Sequence, residues 1–144
     1  MLYEADVIEA VCGELKMRGY EIRQTCGPKK RGDDIIAVRK ATPCLELFVE
    51  AKGETSSGEG TKLYGEPFDR RQVRSHVAKA LFKSAQVLSR DPQATLIRVG
   101  IALPDTETHR SIAKSIRPVL ERLSVAVFWV RCDRTVELTS PWPL

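Results

Sequence analysis

The chain has 144 residues, 42% hydrophobic and 29% charged, with a net charge of +4 and a pI near 9.0. That size fits one domain with one core, and no apolar run approaches the roughly 18 residues that span a bilayer. The opening Met-Leu-Tyr-Glu-Ala-Asp lacks the basic start of a signal peptide, so a cytoplasmic location and no membrane partner are expected.

A first helix is expected from Glu4 to Arg18, stopped by Gly19. Val7, Ile8, Val11 and Leu15 make its apolar stripe. At about 100° per residue, Glu4 falls near the middle of that stripe. A carboxylate on the core side needs a partner, unless a frayed first turn lets it reach water. Tyr20–Cys26 reads as a strand, and Gly27–Gly32 as a turn carrying the basic run Lys29-Lys30-Arg31. Cys12, Cys26, Cys44 and Cys132 form no C-x-x-C pair, which argues against zinc and for free buried thiols.

Asp34–Lys40 is the second strand, and Ala41-Thr42-Pro43 turns the chain back into Leu45–Lys52. In this third strand Leu45, Leu47 and Val49 share one face, while Glu46, Phe48, Glu50 and Lys52 share the other. A long glycine-rich loop, Gly53–Gly60 and on to Phe68, has the length of a functional flap. It lacks the glycine-lysine-serine/threonine ending of a phosphate-cradling loop. A second helix follows over Arg71–Arg90 with Asp69 as N-cap. Its core stripe is Val73, Val77, Ala80, Leu81, Ser84 and Leu88. Gln72, His76, Lys79 and Lys83 form a polar ridge beside it. Asp91-Pro92 ends the helix. Ile97–Leu103 is an apolar strand. A third helix opens at Thr106 or Thr108 and runs to Leu123, with Pro118 set to kink or split it. His109 is expected at the surface. Ser124–Arg131 is an interior strand, and Thr135–Leu138 a short edge strand. The order implies an α/β fold with a mixed sheet flanked by helices.

The chemistry gathers at the hairpin. The start of one strand lies beside the end of the next, so a tight return brings Asp34 near Glu50. Two carboxylates that close repel, and a divalent cation removes the cost. Hard oxygen ligands suit Mg²⁺ or Mn²⁺. Such a metal assists phosphodiester hydrolysis, with Lys52 neutralising charge or orienting the water. Between Thr61 and Arg90 seven basic residues face two acidic ones. A basic surface around a carboxylate centre suits a polyanion. Lys29, Lys30, Arg31, Arg70, Arg71, Arg74, His76 and Lys79 are the expected nucleic-acid contacts.

The ordered set Glu4, Asp34, Glu50-x-Lys52 and Gln72 resembles the PD-(D/E)xK, or restriction-endonuclease-like, nuclease superfamily. The residues that carry it are Gly32-Asp33-Asp34-Ile35-Ile36-Ala37 and Phe48-Val49-Glu50-Ala51-Lys52-Gly53. The style is closest to Holliday-junction resolvases and Mrr-like endonucleases. The resemblance implies a core of α-β-β-β-α-β plus an extra helix and strand, over a single domain 1–144. It implies Asp34 and Glu50 as metal ligands, Lys52 as the catalytic lysine and Glu4 as an additional acid and ligand. Gln72 with His76 is similar to the Gln-x-x-x-Tyr element of the RecB-like branch, with histidine in place of tyrosine. Asp33 stands where the family has proline and is an alternative ligand. Asp34 is preferred because it directly precedes the apolar run. The expected function is metal-dependent DNA cleavage, structure-selective or repair-related. The alternatives are a non-catalytic nucleic-acid-binding module and a protein-interaction module, the latter a homodimer through the apolar C-terminal strand and Trp129.

Overall fold

The computed structural model describes residues 1–27, 32–40, 44–56, 64–90 and 96–144. Helix α1 spans Glu4–Met17, and strands β1 (Glu21–Thr25), β2 (Ile35–Arg39) and β3 (Leu45–Ala51) follow. Helix α2 covers Arg70–Arg90. Then come β4 (Ile97–Pro104), α3 (Glu107–Ser115), α4 (Arg117–Arg122), β5 (Val125–Val130) and β6 (Val136–Thr139). The six strands lie in one sheet in chain order. The β1–β2, β2–β3 and β5–β6 pairs are antiparallel, and β3–β4 and β4–β5 are parallel. The parallel pairs are those whose connections contain helices, as crossover geometry requires. The expected α/β fold, a mixed sheet flanked by helices, is the one observed.

Period-two alternation sorts each central strand onto two cores. Leu47, Val49, Ala51, Ala126, Phe128 and Val130 pack with Val7, Val11 and Leu15 of α1. Phe48, Val99, Ile101, Leu103, Val125, Val127 and Trp129 pack with Val73, Val77, Ala80 and Val87 of α2. Strand β5 is buried at every position, so it reads as a continuous apolar run. Trp129 is 5% exposed, and the Arg110 guanidinium lies 4.1 Å from its ring centroid. The Trp129 ring, named above for a contact between copies, lies in the core of the subunit.

Three further expectations are refined. Pro118 splits the third helix, standing in the first turn of α4. His109 is 2% exposed rather than at the surface. Its backbone N–H donates to Thr106 Oγ1, the N-cap of α3, at 3.1 Å, which turns its ring inward with that first turn. Cys12 and Cys26 are buried, while Cys44 and Cys132 lie exposed outside the strands. Among the described residues no helix is long and apolar enough to cross a membrane.

The end of β3 is joined to the start of α1 at close range. Glu54 N–H donates to Leu2 O at 2.9 Å, and Leu2 N–H donates to Glu54 Oε1 at 2.7 Å. Between them Gly53 passes so close that an added Cβ would lie 2.6 Å from Glu4 N. Only glycine allows that approach. The far side of the same loop returns alongside: Phe68 N–H donates to Glu54 O at 2.9 Å, and Thr55 Oγ1 donates to Glu66 O at 2.7 Å. The middle of the expected flap, residues 57–63, lies outside the described residues, as do the turns at 28–31, 41–43 and 91–95. Gly53→Ala must push two backbones apart. Chemical denaturation is expected to show a loss of about 1–3 kcal/mol, the usual cost of overpacking. An unchanged midpoint would mean that the two segments are not locked.

Candidate active site

The β2–β3 register pairs Ile35 with Val49 and Ile36 with Phe48. One rung further, Asp34 stands opposite Glu50, on the face that carries Phe48 toward α2. The side chain of Asp34 is fixed there: its Oδ2 accepts a hydrogen bond from the Ala51 N–H at 2.8 Å. Among the described residues Oδ1 has no hydrogen-bond partner. Lys52 follows on the same face, and its Nζ lies 3.4 Å from Glu50 Oε1. The Lys52 N–H donates to Ala102 O at 3.0 Å, so β4 holds the backbone of this strand end.

Burial controls the electrostatics. Asp34 is only 7% exposed, and desolvation pushes its carboxyl up to about 6. The Ala51 N–H pulls the other way, and the Glu4 charge adds to the rise. Glu50 is raised by desolvation first and by the Asp34 charge second, with Lys52 opposing. Glu4 is raised by desolvation, with Lys52 opposing and Glu50 adding. The three acids of α1, β2 and β3 therefore share one electrostatic field with Lys52 in it. The Lys52 charge offsets part of the desolvation of Glu4.

Sharing a field is not sharing a ligand shell. Among the described residues no group of three or more His, Cys, Asp or Glu side chains is arranged to hold a metal ion. Like charges in a poorly solvated place have no reason to close further on their own. The donor chemistry nevertheless fits Mg²⁺ or Mn²⁺. Two adjacent hard carboxylates, one with an unengaged oxygen, are what a cation that keeps most of its waters requires. Asp34 and Glu50 are the pair that would hold it; Glu4, expected as a third ligand, is coupled to them through its charge but is not gathered with them into a ligand group.

The remaining expected residues divide. Gln72 Oε1 accepts from the Asp69 N–H at 2.8 Å, while Asp69 Oδ1 accepts from the Gln72 N–H at 2.9 Å. This reciprocal pair is a capping box at the head of α2. The side-chain oxygen of Gln72 is engaged there. His76 is half-buried and packs edge-on against Phe68 at 4.5 Å between centroids. Its Nδ1 is buried without a hydrogen-bond partner among the described residues. Burial, then the Lys52 and Lys79 charges, lower its pKa, so it faces the site as a neutral ring. Arg70, Arg71, Arg74 and Lys79 are exposed on α2, and Arg70 donates to Ser111 Oγ at 3.1 Å. Lys29, Lys30 and Arg31 lie outside the described residues.

Asp33, the alternative ligand, is held elsewhere. Arg90 reaches its two oxygens at 3.3 and 3.4 Å, and Lys83 Nζ lies 3.8 Å from Oδ1. Lys83 is the residue that sequence reasoning left out of the site. Its charge lowers the pKa of both Asp34 and Glu50. Its place on the polar ridge of α2, one turn beyond Lys79, was the available signal. A cleft of about 10 Å³, room for about one water, opens between β3 and α2 and is lined by Asp33, Glu50 and Lys83 among others.

Comparison of the sequence with protein-family models and with curated proteins finds no match. Comparison with solved structures does. The fold is similar to that of an XisH family protein from Nostoc punctiforme. The TM-score is 0.54 at 13% identity, covering 92% of this chain and 96% of that one. At that identity the likeness concerns the fold alone.

The raised carboxyl of Asp34 has a signed consequence. Its folded pKa, about 6, exceeds the ordinary 3.8, so the folded state binds the extra proton. Its contribution to stability therefore falls as pH rises from about 4 to about 6, and the cost is fully present above that. Without metal, Asp34→Asn should raise stability at neutral pH by on the order of 1–3 kcal/mol, and the gain should vanish near pH 4. Thermal unfolding at the two pH values reads this; an Asn variant less stable at both would refute it.

Proposed function

We propose that the chain is a Mg²⁺- or Mn²⁺-dependent endonuclease that hydrolyses DNA phosphodiester bonds in structure-selective or repair-type cleavage. One observation carries the reading. The hairpin register opposes two desolvated carboxylates, Asp34 and Glu50, on one face with the Lys52 amine 3.4 Å from Glu50. A surface ion pair would not need a third acid, Glu4, brought from another element into the same field. The order of elements from α1 to β4, helix, three strands, helix, strand, is the one the resemblance implies, and it supports the reading.

The bound cation supplies Lewis acidity at a phosphate oxygen and screens the two carboxylates from one another. The chain supplies the rest. Asp34 and Glu50 would hold the cation, and the Ala51 N–H fixes the Asp34 carboxylate through its Oδ2. Lys52 lies against Glu50, its Nζ 3.4 Å from Oε1. Its Nζ–H groups donate to a non-bridging phosphate oxygen, where charge grows as a water oxygen attacks phosphorus and the P–O bond to the leaving oxygen breaks; the water gives up a proton to solvent and the leaving oxygen takes one from it. Glu4 adds negative charge to the field around Lys52. His76, neutral and half-buried, offers a ring nitrogen to a phosphate or a water at the rim. Arg70, Arg71, Arg74 and Lys79 on α2, with Lys29, Lys30 and Arg31 before β2, bind backbone phosphates. A homodimer would bring two such sites to the two strands of a duplex.

Plasmid and branched-DNA cleavage with Mg²⁺ or Mn²⁺ tests this reading. Asp34→Ala and Lys52→Ala are each expected to lower the rate by at least about a hundredfold, the scale of removing one preorganised charge contact. Both variants should unfold cooperatively like the parent. Undiminished cleavage by Asp34→Ala would overturn the assignment.

A further inference from the structure

Helix α2 carries a second stripe that the cleavage chemistry does not use. Lys79, Phe82, Lys83, Gln86 and Arg90 follow i, i+3, i+4, i+7, i+11 spacing and so share one face. Phe82 on this face is 65% exposed. A single exposed apolar side chain is ordinary by itself, so the setting of Phe82 is what matters. Phe82 stands at an open depression of about 540 Å³ whose other lining is Lys83, Ala85, Gln86, Ser89 and Arg90. Lys83 also lines the small cleft against Glu50 and Asp33. One side chain thus joins the aromatic platform to the carboxylate site.

We infer that Phe82 is a stacking platform for an unpaired base of the nucleic-acid substrate, with Lys83 and Arg90 holding the phosphates on either side. The inference rests on the proposed nuclease reading and names the substrate feature that this site selects. A base buried in a duplex hides its faces against its neighbours. Only an unpaired base, in a single strand, a flap or a branch, can lay its ring on an exposed phenyl group. Arg90 is suited to its role because it is already oriented. Asp33 grips the guanidinium at 3.3 and 3.4 Å and the Phe48 ring lies 5.6 Å below it, yet half of the side chain remains exposed. Asp33 offsets one of the two cations, so the face keeps a positive balance for a polyanion. The same lining argues against a second copy of the chain as the occupant. Protein interfaces are depleted of lysine at their centres and rich in apolar neighbours, whereas here one phenyl ring is surrounded by polar groups and a single alanine.

The test is binding of a fluorescently labelled single-stranded DNA, and of the blunt duplex of the same sequence, in EDTA so that no cleavage intervenes. Wild type, Phe82→Ala and Phe82→Tyr are compared. Phe82→Ala is expected to weaken single-strand binding by about fivefold or more, the lower end of what one stacked base contributes. Duplex binding should stay within about twofold, and Phe82→Tyr, which keeps the ring, should bind like wild type. Equal losses on both DNAs, or no loss, would overturn this inference and leave the cleavage reading standing if the wild type still cuts. A change from dimer to monomer in sedimentation of Phe82→Ala would overturn it in favour of a contact between copies. A wild type that binds neither DNA would remove both readings together, and a selective loss in a chain that never cuts would uphold the platform alone.

Discussion

The hydrogen bond from the Ala51 N–H to Asp34 Oδ2, at 2.8 Å, is the contact on which the site depends. It belongs to no strand ladder. It ties the entry of β2 to the exit of β3 across the last rung of an antiparallel pair. It leaves a buried carboxylate with one oxygen engaged and, among the described residues, no hydrogen-bond partner for the other. Every other site feature is arranged around that pairing. Glu50 stands opposite, Lys52 follows two residues later on the same face, and β4 pins the Lys52 backbone from the other side. Because the sheet is buried on both faces, a slip of one residue would turn Leu47 and Val49 toward α2 and Phe48 toward α1. The register that fills the two cores is the same register that opposes the two acids.

The arrangement is costly to the fold. Three carboxylates in one poorly solvated region raise one another's pKa values, and the positive charges of Lys52 and Lys83 offset only part of that. Groups held in a state that disfavours the folded chain are a common mark of a functional site. The fold offsets the cost with ordinary devices: apolar packing on both sheet faces, the capping box of Asp69 and Gln72, and the Gly53–Glu54 junction that fastens the start of α1. That junction links structure to function, since it sets where Glu4 begins its helix.

Much of this was legible because period and pairing are local. The alternation in Leu45–Lys52 placed Glu50 and Lys52 on one face, and hairpin geometry placed Asp34 beside them. Gly19, Asp69 and Pro118 punctuated the helices where the structure has their ends. What escaped depended on contacts distant in sequence. Nothing in the run around His109 signals that the Thr106 cap turns its ring inward against α2. Gln72 looked like a site residue because its spacing to His76 matched a motif, yet the nearer partner, Asp69, engages it. Asp33 and Asp34 could not be separated by local pattern. Only the folded position of α2, with Arg90 fifty-seven residues away, shows that Asp33 serves an ion pair. Nor does the run Val125–Val130 show by itself that Arg110 of α3 lies over the Trp129 ring.

The central claim is that Asp34 and Glu50 form a single divalent-cation site. Calorimetric titration with Mn²⁺ above pH 6, on the wild type and on Glu50→Gln, tests it without any DNA. The account predicts one saturable binding event in the wild type, lost in Glu50→Gln, with both proteins folded. Equal binding by the two proteins would contradict it.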